Sequence, residues 1–191
     1  MKSELEVEHK YRLDPAAIPA IEAKLPTMGF KRVATENAKD IYFCDKHGHL
    51  KARKIVVRIR EENGVITLDT KMPLNAERNK SERIEKNYSF SGAGVAEITE
   101  LLTTLNLEVV CTVIKERTPW ETYKDGSRLR VCIDKVETLG TFVEVEVAAT
   151  MGTCADDAHK LLNEVLEKLG QHLGEQVTDS YRKLAVAAMA A

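Results

Sequence analysis

The chain has 191 residues and a nearly balanced charge, with 28 Lys and Arg against 30 Asp and Glu. A formal net charge of −2 excludes a generally basic nucleic-acid-binding protein and a polyanionic tail. No apolar run approaches the roughly 20 residues that cross a bilayer, and the four cysteines form no Cys-x-x-Cys pair. We therefore expect a single cytoplasmic domain over residues 1–191, a monomer or a homodimer, that binds neither nucleic acid nor membrane.

Helical periodicity and capping signals predict three helices and a short fourth one. In chain order, these are expected over 14–29, 95–105 and 153–170, and after Asp179. Asp14 and Pro15 are typical of a helix start, Thr153 is the expected N-cap of the third helix, and Gly170 is its expected end.

The remaining segments alternate between apolar and charged residues with the period of two that is typical of β-strands. They comprise 4–11, 56–60, 66–71, 83–85, 114–117, 128–134 and 142–147. Asn63-Gly64 and Asp125-Gly126 predict tight turns, and Trp120 and Tyr123 are expected in a loop. About eight antiparallel strands with three or four helices indicate an α+β fold.

Five of these strands carry two like charges spaced two residues apart. The pairs are Glu6/Glu8, Arg58/Arg60, Lys115/Arg117, Arg128/Arg130 and Glu144/Glu146. Like charges on one strand face repel, so the pattern is stable only where groups of opposite sign lie nearby. A sheet that curls with its helices outside would turn these faces toward one charged lumen.

The charged residue types indicate what such a lumen would bind. Arginine presents a planar fork that matches phosphate oxygens. Mg²⁺ and Mn²⁺ prefer oxygen ligands, and these ions often connect carboxylates to substrate phosphates. The residues alone therefore predict a metal-assisted site for a linear polyphosphate group, with Mg²⁺ or Mn²⁺ as the cofactor.

The segment Glu6-Val7-Glu8-His9-Lys10 resembles the Glu-x-Glu-x-Lys signature of the CYTH superfamily, the triphosphate tunnel metalloenzymes. The resemblance continues through Asp40-Ile41-Tyr42 and the later charged pairs to Ser180-Tyr181-Arg182, and so covers nearly the whole chain. It implies a closed eight-stranded antiparallel β-barrel, a tunnel with a charged lumen and helices packed outside. The class IV adenylyl cyclases are the most similar branch, with thiamine and inorganic triphosphatases as relatives.

The resemblance also implies roles for particular residues. The implied metal ligands are Glu6, Glu8, Glu85, Asp134, Glu144 and Glu146. The implied contacts to the triphosphate are Lys10, Arg58, Arg60, Lys71, Lys115, Arg117, Arg128, Arg130 and Arg182. Tyr42, Arg83 and Tyr181 are candidates for catalysis or substrate positioning, with packing as the alternative for both tyrosines. Asp69 is expected either to contact ligand or to pair with a lysine of the lumen.

Three functions remain open for a small-molecule triphosphate substrate. The first, which the resemblance favours, is an adenylyl cyclase-like reaction that converts ATP into cyclic AMP and pyrophosphate. The second is hydrolysis of inorganic tripolyphosphate, thiamine triphosphate or a nucleoside triphosphate, and the third is non-catalytic binding of a triphosphate or polyphosphate. Two features depart from the cyclase branch. The His-Phe pair that often precedes Glu-x-Glu-x-Lys in that branch is absent, and Glu146 completes a second Glu-x-Glu, which suits triphosphatases at least as well as cyclases.

Overall fold

The fold is taken from a computed structural model that describes residues 4–73, 83–150 and 155–190. The strands are β1 (Glu4–Arg12), β2 (Lys31–Arg32), β3 (Glu36–Asp45), β4 (Val56–Glu62), β5 (Val65–Pro73), β6 (Arg83–Ser89), β7 (Leu107–Lys124), β8 (Ser127–Val136) and β9 (Gly140–Thr150). The helices are α1 (Ile18–Thr27), α2 (His49–Ala52), α3 (Val95–Thr104), α4 (Ala155–Leu169) and α5 (Tyr181–Met189).

The long strands form one curled antiparallel sheet in the order β7-β3-β4-β5-β6-β1-β9-β8. Strand β7 joins the two ends of this order, because residues 107–117 pair with β3 and residues 115–124 pair with β8. The short β2 adds a further pairing to β7. An antiparallel sheet of eight long strands with helices outside it confirms the predicted α+β class.

Helices α1 and α4 cover the apolar face of the sheet over β1, β8 and β9, and α3 covers it over β3 and β4. Val7, Val131 and Val145 on three adjacent strands are completely buried there, together with Ile21 of α1 and Leu162 of α4. Burial of each such side chain contributes about 1.5–3 kcal/mol of hydrophobic stabilisation. Since neighbouring residues of a strand point to opposite faces, the alternating charged residues are directed to the concave side.

The ends of the elements follow local chemistry. Asp14 accepts a hydrogen bond from the Ala16 amide and caps a 3₁₀ turn, so that α1 begins only at Ile18. Ser180 caps α5, which is the predicted fourth helix. The expected cap Thr153 lies outside the described residues. No helix in the described part of the chain is long and apolar enough to span a membrane.

Strand β7 corrects one expectation, because Trp120 and Tyr123 belong to this strand and not to a loop. At 18 residues, β7 is longer than an ordinary strand because it changes partner along its length. It continues to the turn at Asp125-Gly126, where both residues have positive φ as the predicted tight turn requires. Trp120 packs into the core, and Tyr123 is exposed.

Candidate functional site

The concave side of the sheet surrounds a cavity of about 260 Å³ with a mainly charged wall. The described lining contains nine Lys and Arg side chains and seven Asp and Glu side chains. The nine cations are Lys10, Arg58, Arg60, Lys71, Lys115, Arg117, Arg128, Arg130 and Arg182. These are the residues that the sequence analysis assigned to a triphosphate. A wall with more cations than carboxylates favours an anionic occupant.

The strand register brings opposite charges together on one side of the cavity. Arg58 of β4 lies opposite Asp69 of β5, and Arg60 lies opposite Asp40 of β3. Arg58 donates to Asp69 Oδ2 from Nε at 3.0 Å and from Nη2 at 2.8 Å. Arg60 donates to both oxygens of Asp40, at 2.7 and 2.9 Å. Asp69 therefore pairs with an arginine, where the sequence analysis considered a lysine.

Asp40 is shared by two arginines, because Arg58 Nη1 also lies 3.3 Å from Asp40 Oδ2. The Asp40 side chain is almost completely buried. Burial raises the pKa of this carboxyl, but the guanidinium groups of Arg58 and Arg60 outweigh burial and bring the pKa well below its ordinary value. Asp40 is thus ionised at neutral pH, and it fixes the directions of both guanidinium groups.

We expect Asp40→Asn to destabilise the protein at pH 7 by about 3 kcal/mol, since two buried arginines lose their shared counter-ion. A carboxyl with a lowered folded pKa stabilises the protein above its unfolded pKa of about 3.9, and this contribution is lost as the pH falls toward the folded pKa. The variant should therefore lose less stability than the wild type as the pH falls below about 4.

Urea unfolding at pH 7, 4 and 3 checks this expectation. Glu108→Gln is the matched control, because Glu108 pairs with Lys46 on the exposed surface. Its effect at pH 7 should stay below about 1 kcal/mol. Equal pH dependence in Asp40→Asn and the wild type would contradict the assignment.

A second ionic group surrounds Asp134, which is completely buried behind the lining of the cavity. Arg117 donates to Asp134 from Nε at 2.7 Å and from Nη2 at 2.6 Å, and the Tyr181 hydroxyl donates at 2.9 Å. Arg117 also contacts Glu144. Burial raises the pKa of Asp134, but Arg117 and Lys115 outweigh it and lower the pKa. The Asp134 carboxylate is therefore already engaged by protein donors.

A third group, on β1 and β9, is rich in carboxylates. Glu8 lies directly opposite Glu146 in the register, an arrangement in which like charges repel. Burial raises the pKa of Glu6, and the neighbouring Glu146 and Glu8 raise it further, against the opposing effect of Lys71. Lys71 Nζ lies 3.0 Å from Glu6 Oε1 and 2.9 Å from Glu85 Oε2.

The carboxylate group is the part of the cavity whose chemistry fits a divalent metal. In the described ranges, no three His, Cys, Asp or Glu side chains already stand in an arrangement that could hold a metal ion. The donor set nevertheless suits a hard cation, because its oxygens are carboxylates and a cation would relieve the repulsion between Glu8 and Glu146.

Two further arginines lie on the side of the cavity formed by β8. Arg130 contacts Glu36 through Nη2 at 2.6 Å and Glu121 through Nε at 2.9 Å. Arg128 Nη2 lies 3.7 Å from Glu146 Oε1. The two glutamates compensate the charge of Arg130 in the cavity wall. The contact of Arg128 with its glutamate is longer, so its charge is less closely compensated.

The remaining predicted residues occupy different places. Tyr42 and Tyr181 line the cavity, and the Tyr42 hydroxyl lies 3.5 Å from Asp40. Arg182 lines the cavity in the first turn of α5. Arg83 begins β6, where its backbone pairs with β1 and β5, and its side chain lies outside the described part of the structure.

Two acidic partners of the arginines, Asp40 and Glu121, received no role at the site from the sequence. Asp40 shares the inward face of β3 with Tyr42, and Glu121 shares the inward face of β7 with Arg117. The period of two could have indicated both residues. Their pairing with particular arginines depends on the register between strands, which a single strand does not contain.

The family profile of the CYTH domain matches residues 4–181, so this chain belongs to the CYTH family. Three solved structures share the fold. The PH1819 protein of Pyrococcus horikoshii OT3 is 24% identical with a TM-score of 0.73, covering 97% of this chain and 99% of that chain. A candidate adenylate cyclase from Vibrio parahaemolyticus is 16% identical with a TM-score of 0.71, covering 98% of each chain.

The third is a candidate adenylyl cyclase from Hippeastrum with a dominant triphosphatase activity. It is 16% identical with a TM-score of 0.70, covering 96% of this chain and 95% of that chain. No curated protein matches the sequence significantly. At these identities the likeness concerns the fold, which this chain shares with both cyclase and triphosphatase candidates.

Proposed function

We propose that this protein is a divalent-metal-dependent enzyme that cleaves a triphosphate group bound in the cavity, with hydrolysis as the favoured reaction. One observation carries the proposal: nine cations and a separate group of carboxylates line the same cavity. The cations suit the phosphates, and the carboxylates suit the metal that accompanies them. We take residues 1–191 to act as one CYTH unit.

Hydrolysis is favoured over cyclisation by the character of the lining. Of its residues, 16 are charged, and the apolar surface is confined to a few side chains such as Val56, Ala148 and the two tyrosines. A cyclase must also seat a ribose and a nucleobase, and base recognition generally uses apolar or aromatic surface. A triphosphatase needs to hold only the phosphate chain.

The arginines of the wall are proposed to orient the phosphate chain. Arg58, Arg60 and Arg117 are fixed by buried aspartates, so their N–H groups are directed before the substrate arrives. Donors that need no reorganisation stabilise developing charge most effectively. In this proposal Asp134 is a positioning residue for Arg117, since its carboxylate is buried and already bonded.

Glu6, Glu8 and Glu146 are the residues that we propose to hold the metal, with Glu85 and Glu144 nearby in the lining. When bound, Mg²⁺ or Mn²⁺ supplies Lewis-acid polarisation of the phosphoryl oxygens. The lysines and arginines of the wall then bind and orient the remaining phosphate oxygens.

Cyclisation remains the second candidate, because this fold is shared along its full length with a candidate adenylate cyclase. In that reaction the ribose 3′-hydroxyl of ATP attacks the α-phosphorus, and pyrophosphate leaves. The same wall of cations would hold the phosphate chain in line.

A product analysis separates these reactions. The protein is incubated with inorganic tripolyphosphate, thiamine triphosphate or ATP, each with Mg²⁺ or Mn²⁺ and with an EDTA control. We expect metal-dependent release of orthophosphate, greatest with tripolyphosphate. Formation of cyclic AMP and pyrophosphate from ATP would contradict hydrolysis and identify the protein as a cyclase. Tight binding of a triphosphate without turnover would contradict both reactions and identify the protein as a binding module.

A further inference from the structure

We propose that Tyr181 is a positioning residue whose ring face holds the ammonium groups of Lys10 and Lys115 at the cavity. This inference rests on the proposed function, since it concerns how the same cavity grips the triphosphate. It assigns to an aromatic ring a task that carboxylates perform elsewhere in the wall.

Both lysines lie within range of the ring. Lys10 Nζ is 4.3 Å from the centroid of the Tyr181 ring, and Lys115 Nζ is 5.6 Å from it. An ammonium group within about 6 Å of an aromatic face is attracted to the ring, and more strongly where water is excluded. Lys10 and Lys115 are 9% and 5% exposed, so water screens this attraction little.

Carboxylates hold these two lysines less closely than they hold Lys71. The ammonium groups of Lys10 and Lys115 are each 3.8 Å from their acidic neighbours, Glu144 and Asp134. Lys71, in contrast, has two glutamates at 2.9 and 3.0 Å. A ring orients an ammonium group without neutralising its charge, and the two lysines therefore keep more of that charge for the phosphates.

The ring itself is fixed from two directions. Its hydroxyl donates to Asp134 at 2.9 Å, and the ring forms an edge-to-face pair with Phe142, with ring centroids 5.1 Å apart. Tyr181 is also the first residue of α5, which Ser180 caps. The ring can thus act as a rigid support for two flexible lysine side chains that come from different strands, β1 and β7.

The test replaces Tyr181 by phenylalanine and then by phenylalanines with one, two and three ring fluorines. Fluorination weakens the negative ring face while changing its size little. We measure Kd for the non-hydrolysable imido analogue of tripolyphosphate with Mg²⁺. Log Kd should rise steadily with the number of fluorines, and Kd should reach about tenfold above that of Tyr181→Phe.

The same fluorinated residues at Tyr88, which is 42% exposed and lies on the face of β6 opposite to Glu85, serve as the control and should leave Kd unchanged. Thermal unfolding of each variant checks that packing against Phe142 is retained. A Kd independent of fluorination in the folded variants would overturn the role of the ring and leave the proposed function standing. Failure of the wild-type protein to bind the analogue would overturn the proposed function, and this inference with it.

Discussion

Replacing Glu8 by glutamine is expected to lower turnover on the order of 100-fold, the largest catalytic effect predicted for this cavity. Glutamine keeps the shape of the side chain but lacks the charge that a hard divalent cation prefers. We expect kcat to fall and the metal concentration that gives half-maximal rate to rise. The metal-free protein should change in stability by less than about 1 kcal/mol, because the substitution removes both repulsion by Glu146 and attraction to Lys71.

Metal titrations of the initial rate and urea unfolding of the metal-free protein provide the two measurements. Glu61→Gln is the matched control, since Glu61 is an exposed glutamate on β4, another strand of the wall. It should retain the kcat and the metal dependence of the wild type. Wild-type turnover and metal response in Glu8→Gln would exclude Glu8 from the metal site.

Replacing Asp134 by asparagine is expected to produce the largest loss of stability, about 3–5 kcal/mol at pH 7. The substitution leaves Arg117 buried, at 6% exposed, without the carboxylate that accepts its two short hydrogen bonds. Glu144 then remains as the counter-ion of Arg117, but a buried charge that loses its fully buried carboxylate partner is costly, and for this reason the effect should be large.

The control for Asp134→Asn lies on the same pair of strands. Glu116 of β7 forms an ion pair with Lys135 of β8 at 2.8 Å, and both side chains are exposed. Glu116→Gln should therefore cost less than about 1 kcal/mol. Urea unfolding of the metal-free protein distinguishes two possible roles of Asp134, a positioning residue for Arg117 and a metal ligand. A positioning residue gives the large loss, whereas a loss no greater than that of Glu116→Gln would return Asp134 to the list of metal ligands.

Much of the cavity wall could be predicted from the sequence because side-chain direction in a strand is a local property. Arg58 and Arg60 share a face wherever the strand lies, and the same holds for Lys115 and Arg117. The apolar residues between them indicate which face meets the helices. The resemblance then supplied the closed order of the strands, which alternation alone leaves open.

Other features depend on relations between strands and could not be read from any one segment. Asp134 has the same parity as Arg130, yet it is buried behind the wall because Arg117 and Tyr181 lie over its carboxylate. The continuation of β7 through Pro119 into its pairing with β8 is likewise a relation between two strands. Whether an inward residue reaches a cavity depends on the size and position of its neighbours.

The pairing of β1 with β9 affects how the protein is made. Glu4 pairs with Thr150 and Arg12 pairs with Phe142, so β1 meets this partner only after β2 to β8 have been synthesised. Contacts between such distant segments make folding slow. During synthesis the edge of β1 that faces β9 stays unpaired until β9 is made, and the alternating charges at Glu6, Glu8 and Lys10 oppose aggregation of that edge. The charges that line the finished cavity thus also protect the nascent chain before the cavity exists.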